Sequence, residues 1–353
     1  MTHMDATSLR STMAGLPKID LHRHLEGSLR LLTLAEIGRR NGLDLPSFDP
    51  EELRPHVQVT DDPPNFYSFL AKFRLLRQFY ADRETVFRLA YEVVADAAAD
   101  NVKYLELRFN PVALSKAQGF EYDQVTEWVA DAVDQAQKDF DIQARMIIQI
   151  GRDESLDVAQ PLAETAIAFQ HRGIVGLDLA GNETGYPATP FIPIFQKARA
   201  EGLHITIHAG EAGPAANVRE AIEQLGTQRI GHGVRAIEDD STVDLLEKNS
   251  ITLEMCPTSN LHTGTVDNLN RHPFGQLQDR GVRVTVNTDD PSISNITLTD
   301  EYVTVVEEMS VSLASLTQAI IHAAEAAFLP REEKEHLVNW FRAQLAGSDL
   351  DLD

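Results

Sequence analysis

Cysteine is almost absent from this sequence, since Cys256 is the only one in 353 residues. An intrachain disulfide is therefore impossible, and nothing indicates an oxidising compartment. Because Cys256 has no second thiol to pair with, we interpret it as a small buried apolar residue. The first 17 residues lack an apolar core of the signal-peptide kind, and no apolar run is long enough to span a bilayer. We therefore expect a cytoplasmic protein without a membrane segment.

Basic residues are also scarce, with 31 Lys and Arg against 54 Asp and Glu and a net charge of −23. Such a surface repels phosphate backbones and anionic membranes, which argues against nucleic acid or lipid headgroups as partners. It does not exclude a small neutral ligand in a closed pocket.

Eight short apolar, β-branched runs alternate with stretches of helical spacing, of which Arg83–Asp100 is the clearest. Gly173, Gly202 and Gly281 each follow a helical stretch and precede a run, where a glycine helix cap belongs. The alternation predicts one (β/α)8 barrel domain over residues 1–353. A doubly wound open sheet is the alternative, although no glycine-rich phosphate loop follows the first run. The predicted strands are Lys18–His22, Val102–Phe109, Ala144–Ile150, Ile174–Leu179, His204–Ala209, Arg229–Gly231, Ser250–Met255 and Val282–Asn287.

Two segments fall outside this repeat. Residues 43–80 are too long for a strand-to-helix turn, and their aromatic residues follow helical spacing. We expect additional helices that pack on the barrel, and a position over the barrel mouth as a lid is compatible with this. Residues 299–347 predict further helices with an apolar core stripe, and residues 347–353 a solvated acidic tail. The stripe consists of Leu337, Trp340, Phe341 and Leu345.

Polar and ionisable residues follow the ends of most predicted strands, which is the face where barrel enzymes place their active sites. Taken singly, His208 is explained as a core histidine, Glu211 as a helix cap and His232 as a turn residue. Asp289 and Asp290 are similarly explained as a turn. Their joint occurrence on successive strand ends favours a site. The motifs are His22 and His24 on the first strand, LAGNE (179–183), IHAGE (207–211), IGHG (230–233), EMCPTSN (254–260) and VNTDDP (286–291).

A metal ion accounts for these residues economically. His22 and His24 are two apart on a strand, so their side chains face the same point. Together with His208 and Asp289 they offer three imidazole nitrogens and one carboxylate oxygen, a ligand set suited to zinc. A further open position would hold water, whose pKa the metal lowers towards neutrality.

The same residues indicate one metal ion and an acid–base pair. Barrels that hold two metal ions commonly use a bridging lysine after strand four, and LDLAGNE (177–183) contains none. His232 is then free to act as a base. Glu211, in a closed apolar pocket, would have a raised pKa and act as an acid. Asp289 and Asp290 can have separate functions if the strand ends before them, which Pro291 favours.

Seven motifs carry a resemblance that extends over nearly the whole chain. The sequence resembles the adenosine deaminase family of the amidohydrolase superfamily. The resemblance implies a (β/α)8 barrel with one zinc ion per chain, held by His22, His24, His208 and Asp289. The motifs, in chain order, are LPKIDLHRHLEGSLR, YLELRFNP, LDLAGNETGYP, HITIHAGEAGP, RIGHGVRAIED, CPTSN and VTVNTDDP.

The resemblance also implies roles in catalysis and substrate binding. Glu211 would protonate purine N1, and His232 would orient and deprotonate the zinc-bound water. Asp290 would be the acceptor at the purine N7 side, the Gly181 backbone would contact N3, and His24 would also lie near the ribose. Attack of hydroxide at C6 and loss of ammonia would then yield a 6-oxopurine.

Glu26 departs from the family pattern. Adenosine deaminases usually carry Asp at this position, where it contacts the ribose 5′-hydroxyl, whereas the related adenine deaminases carry Glu. The expected activity is deamination of adenosine and 2′-deoxyadenosine to inosine and 2′-deoxyinosine in purine salvage. The alternatives are adenine and a 6-aminopurine nucleoside with a modified sugar, such as aminodeoxyfutalosine.

Two other function classes compete with this expectation. One is a metal-dependent ester, amide or phosphoester hydrolase on the same barrel, against which the missing lysine and Glu211 argue. The other is a non-catalytic nucleoside-binding protein, against which the intact set of four ligands with Glu211 and His232 argues. The expected partner is a small purine nucleoside, and the oligomeric state and the physiological metal stay open.

Overall fold

The computed structural model describes residues 6–347, and its centre is a sheet of eight parallel strands. The strands pair in sequence order, each with the next along the chain. A parallel bridge between Arg23 and Asp289 joins the first strand to the segment after the last one. This is a (β/α)8 barrel, so the predicted fold is confirmed. The strands are β1 (Lys18–His24), β2 (Val102–Phe109), β3 (Gln143–Gly151), β4 (Ile174–Ala180), β5 (His204–Ala209), β6 (Arg229–His232), β7 (Thr252–Met255) and β8 (Arg283–Val286).

Helices connect the strands and pack against them from outside. Within residues 6–347, none of them combines the length and the apolar character that a bilayer span requires. The α-helices are α1 (Ala6–Gly15), α2 (Leu31–Asn41), α3 (Pro50–Val57), α4 (Phe66–Ala71), α5 (Phe73–Leu76), α6 (Arg83–Ala99), α7 (Pro111–Ser115), α8 (Tyr122–Asp139), α9 (Leu156–Ala168), α10 (Ile192–Ala200), α11 (Ala215–Glu220), α12 (Asp240–Lys248), α13 (Pro257–His262), α14 (Phe274–Asp279), α15 (Pro291–Ser294), α16 (Leu298–Glu307), α17 (Leu313–Ala326) and α18 (Arg331–Ala346). The shorter helical turns are Gln170–Arg172, Thr189–Phe191, Val234–Glu238 and Leu269–Arg271, of 3₁₀ type, and Ala221–Leu225, of π type.

The predicted strands agree with the observed ones to within two residues at every end. The largest differences include β1, which continues past His22 to His24 because its backbone stays paired with β2 as far as Arg108. The three glycines expected as helix caps all have left-handed backbones, with φ of 88° at Gly173, 95° at Gly202 and 79° at Gly281. These positions therefore need glycine.

Residues 43–80 form short helices rather than one long one. Asn65 caps α4 by accepting hydrogen bonds from the amides of the next turn, and Pro50 occupies the first turn of α3. Phe69 is buried, whereas Phe66 and Phe73 are partly exposed to the cavity at the barrel mouth. The expected extra helices after strand one are thus present. Their motion as a lid stays a prediction.

The C-terminal helices pack as expected except at one residue. Phe341 and Leu345 are buried, but Trp340 is 41% exposed, so its assignment to the core stripe was wrong. Leu337, Phe341 and Leu345 follow four-residue spacing on α18, and Trp340 lies about 100° around the helix from that stripe. Its ring instead contacts Phe341 edge-on, at 5.0 Å between centroids. The predicted acidic tail, 347–353, lies beyond the described residues except for Gly347.

Candidate active site

A cavity of about 280 Å³ opens at the carboxyl ends of the strands. Phe66, Phe69 and Phe73 from the insertion form part of its wall. His22, the one predicted site residue that does not line it, lies directly beneath with no exposed surface. The predicted site residues that line the cavity are His24, Glu26, Gly181, His208, Glu211, His232, Asp289 and Asp290.

Three histidine nitrogens and a carboxylate oxygen meet at the floor of this cavity. His24 Nε2 lies 3.3 Å from His22 Nε2 and 3.3 Å from His208 Nε2. Asp289 Oδ1 is 3.1 Å from His24 Nε2 and 3.3 Å from His22 Nε2. The residues expected to ligate a metal are thus brought together around one point.

The hydrogen bonds made by Nδ1 in two of these rings, those of His22 and His208, determine which ring nitrogen carries the proton. His22 Nδ1 lies 2.7 Å from Glu254 Oε2, and His208 Nδ1 lies 3.0 Å from Asp178 Oδ1. Nearby charged groups, with Arg108 common to both, hold the pKa of each carboxyl well below its usual range against the effect of burial. Both are therefore acceptors, so the Nδ1 atoms donate and the Nε2 lone pairs point at each other. Lone pairs crowded in this way fit a bound cation, and carboxylate–histidine pairs are the usual support of metal ligands.

Arg108 and Arg229 hold the two supporting carboxylates inside the barrel. Arg108 donates to Asp178 Oδ2 at 2.9 Å and to Glu254 Oε2 at 2.8 Å. Arg229 donates to Glu254 and also to Glu106. All five side chains are buried, so each charge depends on its partners. This network fixes the metal-facing histidines from below.

Asp289 and Asp290 have separate surroundings, as the sequence predicted for residues beyond a strand end. β8 stops at Val286, and Asp289 has a left-handed backbone with φ of 59°. Asp289 Oδ2 accepts from Ser259 Oγ at 2.6 Å, and histidine contacts hold its pKa well below the usual range against burial. Burial and the neighbouring Asp289 raise the pKa of Asp290 well above its usual range. The two carboxyls are therefore suited to opposite protonation states.

Glu211 is a buried carboxyl held above the cavity floor. Glu183 accepts hydrogen bonds from the amides of Gly210, Glu211 and Gly213, and so holds the turn that carries Glu211. Burial, followed by the charges of Asp289 and Glu183, raises the pKa of Glu211 well above its usual range. This shift favours the protonated form of Glu211, and its role as an acid stays a prediction.

His232 lies beside Glu211 and has a left-handed backbone with φ of 61°. Its Nε2 atom is 3.6 Å from Glu211 Oε2 and 4.0 Å from Asp289 Oδ2. Burial lowers the pKa of His232 well below its usual value, which favours the neutral ring. One group of four donor atoms within 4.8 Å of one another includes His232 with His22, His208 and Asp289. Geometry alone therefore leaves both His24 and His232 close enough to complete a ligand set.

The side of the cavity towards the insertion contains unpaired acceptors. Glu26 Oε1 accepts from the Asn110 amide at 2.9 Å, but Glu26 Oε2 has no hydrogen-bond partner within residues 6–347. Gln149 Oε1 and Asp290 Oδ1 are likewise buried without a partner. Gly181, with φ of 99°, brings its backbone to the cavity wall. Such atoms are costly unless a ligand or water donates to them.

Several supporting residues were not predicted as part of the site. Asp178 and Glu254 stand within motifs that the sequence singled out, but inside the strands rather than at their ends. Glu183 and Asn260 were visible only as polar residues of the same motifs. His272 gave no signal, because its contact with Asn260, 12 residues earlier, does not follow a helix or strand period. Inward alternation along β4 and β7 could have identified the two carboxylates.

A (β/α)8 barrel that gathers histidine nitrogens and carboxylates at the carboxyl ends of its strands has the architecture of a metal-dependent hydrolase. The chain belongs to the adenosine deaminase family, whose sequence profile, described as adenosine deaminase, matches residues 17–343. The predicted family is thus confirmed.

Relatives and solved structures agree with this membership. The adenosine deaminase of Klebsiella pneumoniae is 40% identical over 326 residues, which cover 92% of this chain and 97% of that protein. The adenosine deaminase of Vibrio parahaemolyticus is 40% identical over 322 residues, which cover 91% and 96%. The crystal structure of an adenine deaminase from Arthrobacter aurescens superposes with a TM-score of 0.86 at 28% identity, covering 94% of this chain and 100% of that chain.

Proposed function

We propose that this protein is a zinc-dependent adenosine deaminase, which hydrolyses adenosine and 2′-deoxyadenosine to the 6-oxo nucleosides and ammonia. The observation that carries the proposal is the position of Glu211. A buried carboxyl with a raised pKa stands in one cavity with three histidine nitrogens and a carboxylate. Family membership and two adenosine deaminases at 40% identity support the same reaction.

His22, His24, His208 and Asp289 would hold one zinc ion. Three imidazoles and one carboxylate form a donor set that zinc accepts readily. When bound, the ion would lower the pKa of a coordinated water towards neutrality. His24 is preferred to His232 as the third histidine, because its Nε2 is 3.1 Å from Asp289 whereas that of His232 is 4.0 Å away.

Glu211 would deliver its proton to purine N1. Protonation there withdraws electron density from C6 and opens it to attack by water, after which the exocyclic amine leaves as ammonia. Acid catalysis of this kind contributes roughly 10²–10⁴-fold in rate. His232, with Nε2 on the same side of the cavity, would orient the attacking water.

The buried polar groups without partners would bind the rest of the substrate. The raised pKa of Asp290 favours its protonated form, which donates to purine N7, since N7 is itself an acceptor. This replaces the acceptor role that the resemblance implied for Asp290. The Gly181 backbone would contact N3, and Glu26 Oε2 would accept from a ribose hydroxyl, with His24 nearby. The insertion would cover the bound nucleoside through Phe66, Phe69 and Phe73.

Adenine is the second candidate substrate, and Glu26 is the observation that favours it. The longer Glu side chain occupies sugar space, and a named adenine deaminase is among the structural relatives. The test is a side-by-side ultraviolet and ammonia assay of zinc-loaded protein with adenosine, 2′-deoxyadenosine, adenine and aminodeoxyfutalosine. The proposal predicts the highest kcat/KM with the first two. A preference for adenine would move the assignment to the second candidate.

We also propose the cellular location and the partners of the enzyme. A cytoplasmic enzyme of purine salvage, with a small nucleoside and neither nucleic acid nor membrane as partner, agrees with the net charge of −23.

A further inference from the structure

A buried chain of polar contacts leads from the start of α14 to His232. Its members are the Phe274 amide, His272 and Asn260, which lie on α13 and on the segment before and at the start of α14. His232, Asn260 and His272 are at most 5% exposed. These groups are therefore shielded from bulk solvent, and each depends on its partners in the chain.

The polarity of the chain is set at its first contact. The Phe274 N–H can only donate, and it faces His272 Nδ1 at 3.3 Å, so that nitrogen is an acceptor. Burial lowers the pKa of His272 to about 3, so the ring is neutral and its proton sits on Nε2. That Nε2–H faces Asn260 Oδ1 at 3.2 Å. The amide oxygen of Asn260 must therefore point at His272.

The same amide then determines the protonation of His232. With Oδ1 turned to His272, the Asn260 Nδ2 group donates to His232 Nδ1 at 3.0 Å. Because Nδ1 of His232 accepts this hydrogen bond, the ring proton of His232 must lie on Nε2. That atom faces two acceptors, Glu211 Oε2 at 3.6 Å and Asp289 Oδ2 at 4.0 Å.

The opposite arrangement always leaves one contact between two donors. A reversed Asn260 would present its NH₂ group to the Nε2–H of His272, placing two donors together. Moving the His272 proton to Nδ1 would place it against the Phe274 N–H instead. Asn orientation and histidine tautomers are assigned from such networks, and here only one assignment satisfies all members.

His232 therefore has the opposite tautomer from His22 and His208, the two metal-facing rings with carboxylate partners. His22 and His208 donate from Nδ1 to Glu254 and Asp178 and turn bare Nε2 lone pairs to the centre. His232 accepts at Nδ1 from Asn260 and turns an N–H to the cavity. A protonated Nε2 cannot coordinate a metal ion.

We propose that Asn260 and His272 are positioning residues that hold His232 in its Nε2–H tautomer, as a hydrogen-bond donor to the attacking water and not as a metal ligand. The catalytic part of this inference rests on the proposed deamination, and the tautomer itself does not. In this form His232 orients the oxygen nucleophile, and it cannot accept a proton at Nε2.

The direct test is nuclear magnetic resonance of protein with ¹⁵N-labelled histidine, recorded with and without zinc. Two-bond ¹H–¹⁵N spectra separate protonated from bare ring nitrogens, and a His232→Gln variant identifies the His232 signals among the 12 histidines. We expect His232 to show a bare Nδ1 and a protonated Nε2 in both states. A protonated Nδ1, or an Nε2 shifted by zinc coordination, would overturn the proposal.

Two variants test whether the chain causes the tautomer. Asn260→Asp keeps the shape of the side chain but replaces the donor with an acceptor, so the His232 proton should move to Nδ1. His272→Gln keeps an N–H donor towards Asn260 and should preserve the tautomer, whereas His272→Leu should not. Unchanged His232 signals in Asn260→Asp would contradict the inference.

The catalytic consequence is read from the same variants. Replacing groups that orient active-site residues typically costs 10–100-fold in activity, and we expect kcat to fall by about that factor in Asn260→Asp with KM for adenosine little changed. His272→Gln should retain most of the wild-type kcat and His272→Leu should not. His262→Gln, on the same helix but outside the chain of contacts, is the control and should match wild type. If wild-type protein shows the expected tautomer but no deamination of any 6-aminopurine, the proposed function fails while the tautomer assignment stands.

Discussion

His24 and Asp289 are joined twice, once through their backbones and once through their side chains. The His24 amide donates to the Asp289 carbonyl oxygen at 2.8 Å, and His24 Nε2 lies 3.1 Å from Asp289 Oδ1. The Asp289 amide also donates to the His22 carbonyl oxygen at 2.8 Å. These bonds close the barrel between its last and first strands. The junction between the first strand and the segment after the last one is therefore built from the same residues as the proposed metal site.

Because these residues are shared, we predict that metal binding stabilises the junction between β1 and the segment after β8. Zinc that binds the folded state alone would add about 4 kcal/mol at a thousandfold excess over its Kd. We expect removal of the metal to lower Tm and to speed hydrogen exchange of the His24 amide, and zinc to restore both. A Tm independent of zinc, or equal exchange at His24 with and without it, would show that metal binding does not stabilise this junction.

Glu254 should matter to metal affinity more than its neighbour Glu106. Both carboxylates pair with Arg229 in the barrel interior, but only Glu254 also contacts a histidine, His22. Glu254→Gln should weaken zinc binding by roughly 10–100-fold. Glu106→Gln should lower stability with little effect on zinc affinity. Competition titration with a chelator measures both, and equal zinc affinity in the two variants would contradict the supporting role of Glu254.

Glu211 should govern the alkaline side of the pH profile. Its raised pKa means that the protonated, active form is present at neutral pH and is lost as pH rises through that pKa. Activity of wild type should fall on that side. Glu211→Gln should reduce kcat by about 10²–10⁴-fold and remove this pH dependence. An undiminished rate in Glu211→Gln would exclude it as the proton donor.

Gly213 should be needed to keep Glu183 under the turn of Glu211. A Cβ atom at Gly213 would lie 2.8 Å from the Glu183 carboxyl carbon and 2.3 Å from Asn217 Nδ2. Gly213→Ala should therefore displace Glu183 and lower kcat/KM by about 10-fold. Gly15→Ala is the matched control, since no atom of the described part of the chain lies within 4 Å of its Cβ position. Equal kcat/KM in both variants would show that the turn tolerates the shift.

Glu301, a residue outside the cavity, should make the free energy of unfolding depend on pH. Burial raises the pKa of this carboxyl from 4.5 to about 8. Its contribution to the free energy of unfolding is complete below pH 4.5 and is lost as pH rises towards about 8, at no more than about 1.4 kcal/mol per pH unit. Glu301→Gln should flatten this decline in urea unfolding experiments. Parallel curves for variant and wild type would mean that Glu301 ionises at its ordinary pKa.

The barrel was predictable because apolar residues recur at strand spacing and at helical spacing in alternating stretches of the sequence. A closed parallel sheet then brings the carboxyl ends of all its strands to one face. That rule alone was enough to predict that His22, His208 and Asp289 lie together. Trp340 was misassigned because an apolar residue at the edge of a helical stripe satisfies the same spacing as a buried one.

The supporting contacts were not predictable from local pattern. Asn260 contacts His272, 12 residues later in the chain, and His232, 28 residues earlier. Glu254 and His22 are separated by 232 residues. Such pairs depend on the register of the strands and on side-chain rotamers. The local order of residue types along the chain determines neither of these.

Hydrolysis of adenosine in water enriched with ¹⁸O is the most direct measurement of the proposed reaction. Zinc-loaded protein should release one ammonia per adenosine consumed, and the inosine formed should carry one heavy oxygen at C6. Ammonia release from adenine in preference to adenosine, or no incorporation of heavy oxygen at C6, would contradict it.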